Sequence, residues 1–322
     1  MIKSFVEKLL AQAIEQQVSD IYIIPHQAGY QVRFRRLQLV SIWQTVPLAM
    51  GLQAMAYFKF HADMAVNERR RPQVGALTWT RERVPVELRF STVGDYAGQE
   101  SLVIRVIYPY AATQAAYLVP HQTTMLTKLA RQRGLMIFAG PTGAGKTTTM
   151  YATASRLSVT ALVLTIEDPV EIKEPRFIQL QVNPAAEMTY ADLIKVGLRH
   201  RPDVFVIGEI RDQVTAQAAV RAALSGHLVL TTVHAQSAAG TVTRLLELGV
   251  SLEQLQQVLT AACYQRLIPR IAQPPAVLLD ILTEKTIWDA DSQTTEGWRQ
   301  ALDQAARVGT ITAATQQTFR AG

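Results

Sequence analysis

The segment GPTGAGKTT, Gly140–Thr148, combines residue types that bind phosphate groups. Its three glycines let the backbone curl so that successive N–H groups point at phosphate oxygens. Lys146 offers a compact cation to the β- and γ-phosphates, and Thr147 offers a hydroxyl to Mg²⁺. An apolar run precedes the segment and a helical one follows, the context expected of a phosphate-binding loop. The predicted nucleotide-binding residues are Gly140, Pro141, Thr142, Gly143, Ala144, Gly145, Lys146, Thr147 and Thr148.

Two later segments place carboxylates at the ends of apolar runs: TIEDPVE, Thr165–Glu171, and DVFVIGEIRD, Asp203–Asp212. In a parallel sheet the carboxyl ends of the strands line the ligand crevice, so both would lie beside the loop. A carboxylate there can orient or deprotonate water, or hold Mg²⁺ through its water shell. Glu209 is predicted to be the general base, helped by Glu167. The alternative for either is a solvated turn. The predicted magnesium group is Thr147, Glu167 and Glu209, partly through water.

The segment SGHLVLTTVHA places His227 before an apolar strand and His234 after it. Two histidines bracketing one strand could sense the γ-phosphate or relay its loss to a neighbouring subunit. The alternative is an ordinary structural or surface role. Their separation along a strand does not favour a metal site.

The elements around these residues alternate from about residue 121 onward, which predicts a mostly parallel sheet covered by helices. Predicted strands are Leu135–Ala139, Ala161–Ile166, Val204–Ile207 and Leu228–Val233, with helices near 189–201 and 212–225. After residue 237 two helices are predicted, VTRLLELGV and SLEQLQQVLTAACYQRLI. The single cysteine, Cys263, falls in the second as a small buried residue.

The first part of the chain reads as a separate α+β domain. Its predicted strands are Ile21–Ile24, Tyr30–Phe34, Leu77–Trp79, Val84–Phe90 and Ser101–Ile107, with a helix around 47–65. Prolines near both ends of Tyr108–Pro120 indicate a linker. The expected domains are residues 1–108 and 121–322, joined by residues 109–120.

Composition excludes several classes of protein. One cysteine in 322 residues rules out an internal disulfide and a cysteine-rich zinc site. No apolar run approaches the roughly 18 to 20 residues that cross a bilayer, and the first residues lack the apolar core of a signal peptide. A cytoplasmic location is therefore expected. The net charge of +6 suits a membrane face, nucleic acid or nucleotide phosphates equally.

The four motifs GPTGAGKTT, TIEDPVE, VFVIGEIRD and SGHLVLTTVHA together resemble the Walker A, Asp box, Walker B and His box of the secretion and pilus ATPase family. The resemblance is strong over about residues 130–270. It implies a RecA-like P-loop domain preceded by a smaller, PAS-like α+β domain, with ATP and Mg²⁺ as cofactors. It also implies a homo-hexamer that binds an inner-membrane platform protein, is peripheral to the membrane through that partner, and does not bind nucleic acid directly.

The first half matches this family more loosely. SDIYIIP, RRRPQVGAL and VELRFSTVGDYAGQESLVIRVI resemble its N-terminal segments. Carried over from the resemblance, Arg71, Arg89 and Arg105 become candidate arginine fingers for the γ-phosphate, a role that suits the fixed guanidinium fork. The alternative is a solvated arginine on an exposed strand. Arg266 is either a further sensor or structural.

Differences from the family's usual pattern indicate which group of its members this sequence resembles. With one cysteine, this sequence is not expected to form the four-cysteine zinc module of the export members, and its length predicts no counterpart of their long N-terminal docking domain. Short, cysteine-poor members are the competence ATPases of Gram-positive bacteria and the pilus-retraction ATPases. The segment Arg35-Arg36-Leu37-Gln38, an eroded turn motif, favours the former, whose motor assembles a pseudopilus for DNA uptake. A retraction motor, a DNA translocase or helicase, and a scaffold that binds ATP only for assembly stay open as alternatives.

Overall fold

The computed structural model describes residues 2–36, 39–81, 84–108, 116–183, 186–291 and 293–322. The chain divides into two compact units, residues 1–113 and 114–322, each with its own apolar core. Within the described ranges, every helix falls short of the length and apolar character needed to traverse a bilayer.

The first unit is a six-stranded antiparallel sheet with two helices. Its elements are α1 Ile2–Glu15, β1 Asp20–His26, β2 Gly29–Arg36, β3 Leu39–Val46, α2 Leu48–His61, β4 Gln73–Arg81, β5 Val84–Gly94 and β6 Glu100–Ile107. The strand order is β3-β2-β1-β6-β5-β4. The five strands and the helix predicted from the sequence are confirmed, and β3 is an addition.

Alternation along the strands explains this architecture. Residues such as Ile21, Leu88 and Ile104 are fully buried on one face of the sheet. There they form one core with the apolar sides of α1 and α2. The opposite face carries the alternate residues, many of them charged, as expected for an antiparallel sheet covered on one side.

The second unit holds an eight-stranded sheet. Its elements are β7 Ala116–Tyr117, α3 Gln122–Ala130, β8 Gly134–Ala139, α4 Lys146–Leu157, β9 Val163–Glu167, β10 Ile178–Gln181, α5 Tyr190–Arg199, β11 Val204–Ile207, α6 Gln213–Leu224, β12 Leu228–Thr232, α7 Gly240–Glu247, α8 Leu252–Val258, β13 Leu259–Arg270, β14 Gln273–Thr283, α9 Glu296–Arg307 and α10 Ala313–Phe319. The order is β10-β9-β11-β12-β8-β13-β14-β7.

This sheet is parallel except where β13 and β14 form a hairpin, so the predicted mostly parallel α/β class is confirmed. Strand β8 is fully buried and lies between β12 and β13. The carboxyl ends of β8, β9, β11 and β12 therefore share one edge, and the residues that follow them meet there.

The helix predicted for SLEQLQQVLTAACYQRLI is wrong beyond Val258. Residues 252–258 form α8, which a capping box at Ser251 begins, but Leu259–Arg270 is strand β13. Cys263 is buried as predicted, although on a strand. The run is apolar on both sides because β13 lies inside the sheet, and such a run has no period that separates helix from strand.

The expected linker, residues 109–120, is only partly described. Residues 109–115 lie outside the described ranges, as do Leu37 and Gln38 of the eroded turn motif. Ala116 and Tyr117 form the two-residue strand β7, which pairs with β14 in the second unit.

Candidate active site

The glycine-rich loop joins β8 to α4 in the second unit, as predicted. Gly140, Gly143 and Gly145 have φ angles of 141°, 79° and 82°, in the region that favours glycine. Gly145 immediately precedes α4, so the loop ends at a helix N-terminus with its positive dipole end and unsatisfied N–H groups. A Cβ at Gly143 would meet nothing within 4 Å. The loop is therefore an open, curled cradle of backbone amides.

Lys146 lies folded against this cradle. Its Nζ donates hydrogen bonds to the carbonyl oxygens of Gly140, at 2.7 Å, and Pro141, at 3.0 Å. Burial lowers the pKa of Lys146, while the charges of Glu209 and Glu171 act in the opposite direction. Carboxylates from both acidic segments therefore act electrostatically on the loop lysine, which places both segments at this edge of the sheet.

Glu209 follows β11 and is held by two neighbours. Arg211 Nε donates to its Oε2 at 2.6 Å, which raises the pKa of Arg211. His234 Nε2 lies 2.8 Å from the buried Oε1, within ion-pair distance. The side chains of Arg211 and His234 are 62% and 66% exposed, so both can move when a ligand arrives. Each carboxylate oxygen of Glu209 is thus contacted by one exposed side chain of opposite or titratable charge.

The end of β12 fixes the turn that carries Glu209. Thr232 Oγ1 donates to the Gly208 carbonyl at 2.7 Å, and the Ile210 amide donates to the Thr232 carbonyl at 2.9 Å. His234 follows two residues after Thr232, which brings it to Glu209. This arrangement links the His-box strand directly to the predicted base.

Glu167 occupies a different environment from the one expected for a water-bound carboxylate. It is 3% exposed and accepts a short hydrogen bond from the Tyr151 hydroxyl on α4. Gln179 donates to the same hydroxyl at 2.7 Å. Burial raises the pKa of Glu167, and the Tyr151 hydrogen bond partly offsets that rise. Glu167 therefore connects β9 to the helix that begins at the loop.

His227 is not brought to this edge. It precedes β12, beside the start of β8, where its carbonyl accepts from the Gly134 amide at 3.0 Å. Its ring nitrogen contacts the Ala222 carbonyl, and its ring packs against Phe205. The two histidines thus bracket the strand at opposite ends, and only His234 lies with the acidic residues.

The three candidate finger arginines lie in the first unit. Arg89 on β5 pairs directly with Arg105 on β6, and Arg105 pairs with Asp20 on β1. Arg105 Nε is 3.4 Å from Asp20 Oδ1. Arg71 lies on the loop before β4, 86% exposed at its side chain and 3.8 Å from Glu68.

Several residues of this site were not predicted. Arg211 donates a hydrogen bond to Glu209, and Tyr151 donates one to Glu167. Gln179 in turn donates to the Tyr151 hydroxyl. Gln265 on β13 donates to the Ala144 carbonyl at 2.6 Å. Only Arg211 had a signal, its place two residues after Glu209. Arg266, a weaker candidate, packs over the Phe319 ring at 4.8 Å and donates to the Tyr264 hydroxyl.

A glycine-rich loop between a buried strand and a helix, with acids at the same sheet edge, defines the class of P-loop nucleotide hydrolases. Residues 1–314 match the family described as type II/IV secretion system protein. The chain belongs to this family of secretion and pilus ATPases.

Individual relatives agree with this assignment. The chain is 39% identical to the competence protein ComGA of Streptococcus pneumoniae over 318 residues, covering 99% of this chain and 98% of that protein. It is 38% identical to ComGA of Bacillus subtilis over 272 residues, 83% of this chain and 76% of that one. The solved ATPase DotB of Legionella pneumophila shares the fold, with a TM-score of 0.76 at 19% identity over 98% of this chain and 95% of DotB.

Proposed function

We propose that this protein is a hexameric, cytoplasmic ATPase that powers assembly of a competence pseudopilus for DNA uptake. It works at the inner face of the cell membrane on a platform protein and does not itself bind DNA. The observation that carries the proposal is the end-to-end similarity to a competence protein, which the phosphate-binding loop and the acidic residues at the same sheet edge support.

The site residues take the following roles. The backbone of Gly140–Thr148 binds the phosphates, and Lys146 exchanges its loop carbonyls for phosphate oxygens. Glu209 orients or deprotonates the attacking water through its carboxylate. His234, 2.8 Å from the Glu209 Oε1, responds to the nucleotide state and passes the change to β12. Glu167 is a positioning residue for α4, since its buried carboxylate already accepts from Tyr151.

The donor set fits Mg²⁺ at one side of the loop. Thr147, in the first turn of α4, offers its hydroxyl, and Glu209 offers a carboxylate whose two contacts come from the exposed side chains of Arg211 and His234. Glu167 is less suited to bind the ion directly, because its carboxylate is buried and accepts a hydrogen bond from Tyr151. When bound, Mg²⁺ would neutralise phosphate charge. The chain's own residues position the phosphates and the water.

Three arginines of the first unit, Arg71, Arg89 and Arg105, are the candidate fingers for the γ-phosphate. Arg89 and Arg105 pair across β5 and β6, so their side chains lie on the same face of the sheet. One phosphate oxygen group could therefore accept hydrogen bonds from both guanidinium groups. The exposed Arg71 is a third finger. Whether an arginine acts on its own subunit or on a neighbour is decided by mixing wild-type and finger-deficient subunits.

ATP turnover tests the proposal. The purified protein is assayed alone, with double-stranded DNA, and with its platform protein in liposomes. Stimulation by the platform and indifference to DNA support the proposal. Stimulation by DNA alone makes the protein a translocase, and absence of turnover with intact ATP binding makes it a scaffold.

Two variants test the assigned roles. Lys146→Ala should abolish hydrolysis. Glu209→Gln should bind ATP but hydrolyse it at least about a hundredfold more slowly, the scale typical of a lost general base. Glu247→Gln is the matched control, because Glu247 is an exposed carboxylate paired with Arg244 at the end of α7. Sustained turnover in Lys146→Ala contradicts the loop assignment, and lost ATP binding in Glu209→Gln makes Glu209 a structural residue.

A further inference from the structure

Gln265 lies fully buried beside the phosphate-binding loop. It sits on β13, whose parallel register with β8 pairs Tyr264 with Ala139, the last residue of β8. The next residue on each strand is therefore Gln265 on one side and Gly140 on the other. Strand β13 continues to Arg270 while β8 gives way to the loop. The loop thus curls against a strand that continues past it.

Gln265 contacts both ends of the loop. A Cβ at Gly140 would lie 2.3 Å from the Gln265 backbone oxygen, so only glycine allows this approach. At the other end, Gln265 Nε2 donates to the Ala144 carbonyl at 2.6 Å. The same nitrogen lies 3.2 Å from the position of a Cβ at Gly145. One residue therefore fixes the loop where it leaves β8 and where it enters α4.

The hydrogen bonds of the Gln265 side-chain amide indicate that it shapes the loop and does not stabilise the fold as a whole. Gln265 Oε1 is buried and has no hydrogen-bond partner among the described residues. A buried acceptor left unpaired costs at least as much as one ordinary hydrogen bond contributes. Methionine fills a similar volume without that cost. The carboxamide therefore adds little to folding, whereas its donor sets the shape of the loop.

We propose that Gln265 is a positioning residue that holds residues 140–145 in the phosphate-binding conformation before the nucleotide arrives. Preorganisation of this kind strengthens binding because the loop is not ordered during the binding step. The inference rests on the proposed function, since it takes a nucleotide phosphate as the ligand of the loop.

The test compares Gln265→Met with Gln122→Met. Gln122 is also a buried glutamine of the second unit, but it joins α3 to β14, and both of its amide atoms are paired with the backbone of Leu279. Equilibrium binding of Mg²⁺·ADP is measured beside thermal unfolding. Gln265→Met should weaken binding about tenfold, or about 1.4 kcal/mol, with little change in Tm. Gln122→Met should lower Tm and leave Kd unchanged.

A second measurement needs no nucleotide. Hydrogen exchange of the backbone amides of Gly140 and of residues 142–145 should accelerate in Gln265→Met and stay unchanged in Gln122→Met. In turnover assays KM should rise while kcat is largely kept, because the loop contributes to ground-state and transition-state binding alike.

Each other outcome overturns the inference. Unchanged Kd and unchanged exchange in a folded Gln265→Met protein would show that the amide does not position the loop. A Gln265→Met protein that fails to fold, or loses as much Tm as Gln122→Met, would make Gln265 a residue of the fold. A wild-type protein that binds no nucleotide would refute the proposed function, while the exchange data would still decide the role of Gln265.

Discussion

Replacing Lys59 by methionine should selectively destabilise the first unit. Lys59 Nζ lies 2.7 Å from Glu100 Oε1, and the two side chains are 1% and 3% exposed. The same ammonium donates to the Glu68 carbonyl at 2.5 Å, on the loop that leads to Arg71. Methionine keeps the aliphatic volume but leaves the Glu100 carboxylate buried without its partner. Breaking a buried pair from one side costs about 3–5 kcal/mol.

The double variant Lys59→Met/Glu100→Leu isolates that cause. Removing both charges is often neutral in a buried site, and Gln73 Nε2 still donates to the Glu68 carbonyl at 3.0 Å. The double variant should therefore cost no more than about 2 kcal/mol, a lost hydrogen bond together with imperfect packing.

Hydrogen exchange measured by mass spectrometry in the full chain is the suitable assay, since two units need not unfold in one transition. Peptides from β1 and β6 report on the first unit, and peptides from β8 and β12 serve as the internal control. The reasoning is refuted if the single variant costs less than about 1 kcal/mol, or if the double variant is as unstable as the single one.

Three further predictions concern the loop and the acids beside it. Gly140→Ala should destabilise the second unit by about 1–3 kcal/mol more than Gly143→Ala in thermal unfolding. Both glycines have positive φ, but only the Cβ added at Gly140 would clash with a carbonyl oxygen of β13. Equal effects of the two substitutions would exclude that close approach. ATP binding should take up protons at alkaline pH, since burial lowers the pKa of Lys146 in the free protein and bound phosphate favours its charged form. The affinity for ATP should then fall as pH rises through that lowered pKa, below the ordinary 10.5. Calorimetry in two buffers of different ionisation enthalpy measures the proton uptake, and equal binding enthalpies in both buffers would contradict the prediction. Tyr151→Phe should cost about 1.5–3 kcal/mol in urea unfolding of the second unit at neutral pH, the value of a hydrogen bond to a charged group, and raise the pKa of Glu167 further; an unchanged midpoint would show that the bond contributes nothing.

The parts of the site that sequence predicted are those encoded over short distances. The loop from Gly140 to Thr148, Glu167 at the end of β9 and Glu209 after β11 are each contained in one strand–turn segment, so residue type and spacing were sufficient. Gln265 could not be found in this way, because its contact with Ala144 depends on strands far apart in the chain being neighbours in the sheet.

The errors have the same physical origin. Strand β13 is buried on both faces, so its residues lack the alternation that identifies a half-exposed strand. Strand β3 was missed for the opposite reason, since Leu39, Val40 and Ile42 are exposed apolar residues and leave no polar face to mark the alternation. The pairing of Arg89 with Arg105 depends on register, which the sequence of either strand alone does not specify.

The position of β8 in its sheet has a consequence for how the protein is made. Its two neighbours, β12 and β13, begin at Leu228 and Leu259 and leave the ribosome long after the loop that follows β8. Pairings between such distant segments form late, because a long chain must close first. A nascent chain that stops before Gln265 therefore carries the whole GPTGAGKTT segment but lacks the residue that contacts Gly140 and Ala144. We therefore expect the newborn subunit to capture ATP only when synthesis of the second unit is nearly finished, after residues 2–108 have had time to fold.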